Sequence, residues 1–300
     1  MDTSKIKGIR TGLTVAPRRR LSIMGLAVAI AVGVAVGFAV PRGNSATAST
    51  GLPNTSDYHS LLVNPRNSQS LILGTHDGLY VSLDGGRHWR RGGLRNSDAM
   101  NLARPVAQTL WLAGHNVFKK STDGGATWAD VRPNGLPGLD LHGFAIAPGH
   151  PRVLYAAVAG EGLYRSRDGG RSFKLVSKTI GGNVMALAIL PNGHILAGDM
   201  RRGLLRSSDE GRAWRQVFAA QILGLAVNPG NASRVLATGG GIAVSANGGH
   251  TWRIVLNMEK GAGPVAWSTS NPKLAYVVGF DRKLYLSRDR GESWRAVGGS

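Results

Sequence analysis

Four of the eight histidines, His59, His76, His115 and His142, fall in short polar segments between apolar runs of a 300-residue chain that contains no cysteine. Neutral imidazoles are good zinc or copper ligands, and His59, His76 and His142 are the candidate ligands of a metal site, although no His-Glu-x-x-His pair accompanies them. No other cofactor is expected. A second chemistry open to such segments is glycoside hydrolysis, which uses two carboxylates about 5–9.5 Å apart across the scissile bond. Asp77, Glu161, Asp199 and Asp281 are the candidate catalytic acids, with Asp77 and Glu161, or Asp199 and Asp281, as the pairs that could face one another. Asp140, Arg201, Arg202 and Arg282 join the four histidines as candidate ligand-binding residues. Each of these side chains also has a plain role as a solvated loop residue. Cysteine nucleophiles, disulfide scaffolds and iron–sulfur ligation are excluded by composition. Neither a Gly-x-Ser-x-Gly elbow nor a kinase set occurs, and Gly239-Gly240-Gly241 lacks the lysine of a phosphate loop.

The elements that must position these residues follow from a repeat. An eight-residue box, Ser-x-Asp-x-Gly-x-x-aromatic, begins at Ser82, Ser121, Ser166, Ser207, Ser245 and Ser287, with successive spacings of 39, 45, 41, 38 and 42 residues. Its acidic position holds Asp84, Asp123, Asp168, Asp209, Asn247 and Asp289, and its aromatic position Trp89, Trp128, Phe173, Trp214, Trp252 and Trp294. Each unit has four short apolar or β-branched runs separated by Gly, Asn, Asp and Pro clusters, as in Leu61–Val63, Leu71–Leu73 and Leu79–Val81 ahead of the first box. That pattern predicts a four-stranded antiparallel meander per unit. Because such a sheet cannot bury both faces alone, six of them stacked radially predict an all-β, six-bladed β-propeller over residues 57–300. The ends are expected to meet by packing, since every unit supplies its own four strands. In the box, the acid accepts hydrogen bonds from turn N–H groups, Gly supplies positive φ, and the aromatic side chain wedges between sheets. Asn247 could hold such a turn but could not act as a base, so the boxes are structural.

With these residues in place, the pattern resembles the Asp-box, or bacterial neuraminidase repeat, over residues 57–300. That superfamily includes sialidases, xyloglucan-cleaving hydrolases, sortilin-type receptors and photosystem II assembly factors. The unit beginning Leu141-His142-Gly143-Phe144-Ala145 is also similar to small bacterial envelope proteins called glycosylhydrolase-like. The resemblance implies the fold and a binding site on the rim around the central channel. For a sialidase it implies an Arg-Ile-Pro motif, which this sequence lacks. Successive turns of a meander alternate between its two ends. His76, Asp77, His115, Glu161, Asp199 to Arg202, Asp281 and Arg282 therefore share one rim with His59 and His142, while the boxes, His150 and His194 lie at the other.

The first 56 residues set the compartment. Leu21–Val40 is uncharged, about 30 Å long as a helix, and preceded by Arg18, Arg19 and Arg20. It is expected to be a transmembrane signal anchor, with residues 1–20 cytoplasmic, 41–56 a flexible Ser-, Thr- and Gly-rich tether, and the propeller outside the cytoplasm. Cleavage near Ala46-Thr47-Ala48 and secretion is the alternative. Residues 57–300 keep 29 basic against 16 acidic side chains, dispersed rather than bunched, which favours an anionic envelope polymer or a protein partner over nucleic acid. The expected function is a membrane-tethered, non-catalytic binding or assembly scaffold, with a glycoside hydrolase as the rival.

Overall fold

The structure, a computed structural model, describes residues 49–106 and 108–298. The expected cytoplasmic segment, membrane anchor and residues 41–48 lie outside the described residues, among which no helix is long and apolar enough to cross a membrane.

Six antiparallel sheets follow one another along the chain. Blade one comprises β2 (Ser60–Asn64), β3 (Asn67–Thr75), β4 (Gly78–Ser82) and β5 (His88–Arg95), with β1 (Ser49–Thr50) added beside β5. Blade two is β6 (Asn101–Val106), β7 (Thr109–Gly114), β8 (Val117–Ser121) and β9 (Ala129–Asp130). Blade three is β10 (Leu141–Ile146), β11 (Leu154–Val158), β12 (Gly162–Ser166) and β13 (Lys174–Ser177). Blade four is β14 (Val184–Ile189), β15 (Ile195–Asp199), β16 (Gly203–Ser207) and β17 (Arg215–Phe218). Blade five is β18 (Ile222–Val227), β19 (Val235–Gly239), β20 (Gly241–Ser245) and β21 (Arg253–Asn257). Blade six is β22 (Ala262–Trp267), β23 (Ala275–Gly279), β24 (Leu284–Ser287) and β25 (Arg295–Ala296). The expected six-bladed propeller with four strands per blade is what forms.

Burial explains why the second strand of a blade reads as a continuous apolar run. β11, β15, β19 and β23 are buried at every position, because a neighbouring sheet covers each face. Six apolar clusters result, one per blade interface, and each contains one box aromatic: Trp89 between blades six and one, Trp128 between one and two, Phe173 between two and three. Trp214, Trp252 and Trp294 repeat this role at the remaining three interfaces. Inner strands line an axial cavity of about 620 Å³ whose wall is mixed, with Leu62, Leu102, Leu223 and Val227 beside Arg66 and Arg104.

The boxes are closed by one repeated set of bonds. In each, the buried Ser hydroxyl donates to Oδ1 of the acid or of Asn247 at 2.7–3.0 Å and accepts from the Gly N–H at 2.8–2.9 Å. The same Oδ1 also accepts two backbone N–H groups, those of Ala126 and Thr127 in blade two and of His250 and Thr251 in blade five. Each of the five box tryptophans donates from Nε1 to the carbonyl of the Gly three residues earlier, from 2.9 Å at Trp89 to 3.2 Å at Trp252 and Trp294. That Gly has φ near +85° in blade three, and a Cβ on Gly170 would sit 2.7 Å from Trp111 of blade two. The turn therefore requires glycine for both conformation and packing.

Ring closure is by packing: Leu61 and Val63 of β2 share a core with Ala266 of β22, and among the described residues no strand of one end completes the other end's sheet. Part of the stretch expected to be a tether is ordered against this seam. Leu52 is buried in the same core, Tyr58 Oη donates to Pro53 O at 2.8 Å, and Arg282 donates to Asn54 Oδ1 at 2.8 Å.

Candidate functional site

The turns joining second to third strands and the links between blades meet at one rim, and blades one to three place four histidines there. His76 lies in the β3–β4 turn and His115 in the β7–β8 turn, where Asn116 takes φ +56°. His59 directly precedes β2, and His142 is the second residue of β10. Their rings form a continuous run, with centroids 4.3 Å apart for His59 and His76, 6.1 Å for His76 and His115, and 4.9 Å for His115 and His142.

Asp98, in the link between blades one and two, sits beneath this run with only 10 % of its side chain exposed. Its Oδ2 is 2.6 Å from His115 Nδ1, and its Oδ1 is 3.1 Å from His76 Nδ1 and 3.7 Å from His59 Nε2. Asp57 Oδ2 lies 3.4 Å from His76 Nε2, while Asp140 Oδ1 lies 3.2 Å from His142 Nε2 and 3.8 Å from His115 Nε2. The result is an alternating series, Asp57–His76–Asp98–His115–Asp140, spanning three blades. Burial pushes the His59 pKa down, partly countered by the Asp98 charge. Two oxygens of the series, Asp98 Oδ1 and Asp140 Oδ1, and Nε2 of the adjoining His59 are buried without a hydrogen-bond partner.

Of the residues expected on this rim, His59, His76, His115, His142 and Asp140 come together. Asp57 and Asp98, which sequence reasoning missed, connect them. A signal was present: Asp57-Tyr58-His59, Asp98-Ala99-Met100 and Asp140-Leu141-His142 occupy equivalent positions 41 and 42 residues apart.

The candidate catalytic acids are dispersed over four blades, and three of them brace their own surroundings. Asp77 Oδ2 accepts from Thr55 Oγ1 at 3.3 Å. Glu161 is exposed in the β11–β12 turn. Asp281 accepts from Tyr285 Oη at 2.6 Å and from the Lys283 N–H at 3.2 Å, and burial with that carboxylate pushes the Tyr285 pKa up to about 12. Asp199, 4 % exposed, accepts from the N–H groups of Arg201 and Arg202 and from the Arg202 guanidinium at 3.0 and 3.2 Å. Burial pushes its pKa up, but these donors outweigh burial and hold it below the ordinary carboxylate value. Arg201, Arg202 and Lys178 border a separate rim cavity of about 330 Å³ between blades three and four, backed by Gly181 and Gly182. Arg282 stands over the seam in blade six.

Residues 52–298 match the family model described as photosynthesis system II assembly factor YCF48. A xyloglucanase from Paenibacillus sp is 34 % identical over 148 residues, which are 44 % of this chain and 14 % of the relative, so the chain spans a small part of that enzyme's length. The solved structure of YCF48 bound to D1 peptide is similar at TM-score 0.54 and 19 % identity, covering 87 % of this chain and 88 % of that one. The GH74 xyloglucanase from Xanthomonas campestris is similar at TM-score 0.59 and 18 % identity, covering 83 % of this chain and 46 % of the enzyme. At these identities the two solved structures share the fold.

Proposed function

The chain belongs to the photosynthesis system II assembly factor YCF48 family, and on that premise we propose that it is a non-catalytic scaffold that docks an extended, carboxylate-bearing segment of a protein partner. The observation that carries this reading is the condition of the rim acids. A hydrolase acid needs a raised pKa and a facing partner, whereas Asp199 is ion-paired with a lowered pKa and Asp281 braces Tyr285. The rim cavity beside Arg201, Arg202 and Lys178 instead offers cationic donors and glycine backbone to an anionic chain. The peptide named with the YCF48 relative supports a polypeptide ligand of this kind. The apolar stretch Leu21–Val40 behind Arg18–Arg20 supports display outside the cytoplasm on a membrane tether.

The xyloglucanase relative favours glycoside hydrolysis as the second reading. One experiment separates them. The full-length chain in detergent is titrated with fluorescent peptides carrying free or amidated C-termini and incubated with xyloglucan oligosaccharides. The scaffold reading expects peptide binding that prefers the free carboxylate, falls with salt and is lost in Arg201→Ala/Arg202→Ala. Oligosaccharide cleavage abolished by Asp77→Asn or Glu161→Gln would replace it with the hydrolase.

A further inference from the structure

We propose that His115, Asp140 and His142 form a three-ligand site for a divalent transition-metal ion of the zinc class, with Asp98 as the residue that orients His115. The geometry is the first ground. His115 Nε2 and His142 Nε2 are 3.1 Å apart, and Asp140 Oδ1 is 3.2 Å from His142 Nε2 and 3.8 Å from His115 Nε2. A point equidistant from three atoms so spaced lies about 2.0 Å from each, which is the zinc–nitrogen and zinc–oxygen bond length. An ion about half an ångström out of that plane still lies at about that bond length from all three atoms.

Protonation is the second ground. A bare nitrogen at 2.6 Å from a carboxylate oxygen would set two lone pairs against each other, so His115 Nδ1 carries its proton toward Asp98 Oδ2. Nε2 is then the nitrogen of His115 that faces His142 and Asp140 and is left for a metal ion. A carboxylate behind a histidine is the usual outer support of a metal-binding imidazole. Asp140 Oδ1 is buried with no hydrogen-bond partner, and a cation would satisfy it.

Rigidity is the third. The ligands come from two blades, and Asn101 of blade two ties them together. Its amide donates to Leu141 O and His142 O at 3.3 and 3.1 Å, and its Oδ1 accepts the Phe144 N–H at 3.2 Å. The side chains of His115 and Asp140 are 44 % and 42 % exposed, so an ion could enter from solvent and keep one coordination position open. Two imidazoles and one carboxylate favour zinc, cobalt, nickel or copper over magnesium and calcium, which take all-oxygen sites. The equivalent corner between blades one and two has His76 and Asp98 but Met100 in place of the second histidine.

The test uses the full-length chain in detergent, stripped with chelator, and titrated with Zn²⁺ by calorimetry and with Co²⁺ by visible absorption. The expected result is a tight Zn²⁺ site, intense Co²⁺ bands of low coordination number and a zinc-dependent rise in melting temperature. Asp98→Asn, which leaves the ligands in place, should weaken Zn²⁺ about 10–100-fold, and His142→Ala and Asp140→Asn should each weaken it further. Asp140→Asn alters a half-exposed side chain and keeps the test valid if His142→Ala misfolds. His150→Ala, on the opposite rim, should bind as the wild type does. Zn²⁺ affinity unchanged in Asp140→Asn, or a Co²⁺ spectrum identical to the hydrated ion, would overturn the proposal.

Discussion

Trp89 is the box aromatic on which the ring most depends, and Trp89→Ala tests that dependence. Its side chain is 1 % exposed, whereas Trp128, Trp214, Trp252 and Trp294 are only partly buried. The difference arises because β1 lies beside Trp89 and Leu52 enters the same cluster, as the segment at Asn134 lies beside the equally buried Phe173 of blade three. Burying an indole removes about 150–250 Å² from water, worth about 4–6 kcal/mol at 25 cal/mol per Å². Truncation of buried aromatics costs about 3–5 kcal/mol, and the lost Nε1–H bond to Gly86 O at 2.9 Å belongs within that sum. A loss of about 4 kcal/mol is expected for Trp89→Ala, and at least about 1 kcal/mol less for Trp252→Ala. In a chain of this size that lowers the melting temperature by roughly 6–20 °C for Trp89→Ala. Differential scanning fluorimetry and urea unfolding of both variants measure the gap. Equal losses, or a Trp89→Ala loss below about 1 kcal/mol, would refute the argument that the seam between blades six and one is locked by this side chain.

Other perturbations follow from the same contacts. Burial pushes the Asp84, Asp123 and Asp289 pKa values up, but serine, threonine, histidine and backbone donors outweigh it and hold each at about 2. Since these folded values lie below the ordinary 3.8, their stabilisation is complete above about pH 4 and is lost as pH falls toward 2. Asp123→Asn removes the charge that carries this stabilisation while keeping the turn, so neutral stability should fall by about 0.5–1.5 kcal/mol and the drop in melting temperature between pH 4 and pH 2 should be smaller than in the wild type. Blade five is the precedent: Asn247 keeps the turn and its Nδ2 donates to Thr251 Oγ1 at 2.9 Å. Arg202→Ala leaves the buried Asp199 carboxylate short of two donors and should cost about 1–3 kcal/mol, with Asp199→Asn in the same chain recovering part of it. Arg282→Ala removes the bond to Asn54 and should accelerate hydrogen exchange across residues 51–58 while sparing blade three.

The fold was legible because each unit repeats both its box and its apolar runs, and hydrogen bonds from one serine hydroxyl and one side-chain oxygen dictate the turn wherever they recur. The rim was half legible. Strand alternation alone brings His59, His76, His115 and His142 to one end. Asp98 escaped notice because Ala99-Met100 follows it where a histidine follows in blades one and three, so no adjacent residue marks it as a ligand-shell group. Rim position is what marks the candidate acids in the sequence, but whether a carboxylate is free or braced depends on contacts such as Tyr285 to Asp281, which no spacing reveals. Composition marks Leu52 and Pro53 as tether because serines, threonines and glycines dominate around them. Two apolar residues suffice to dock a segment when a seam lies open beside them.

Because each blade is made from one uninterrupted stretch, with no strand lent across the join, the place where the circle begins is arbitrary. A rearranged gene that links residue 298 to residue 49, so that β1 and Leu52 keep their places at the seam, and opens between blades three and four should still yield the same ring, with the cut moved to the loop around Gly181. During synthesis the first five sheets can stack in order as they emerge, leaving the five–six and six–one interfaces to form when the sixth is complete.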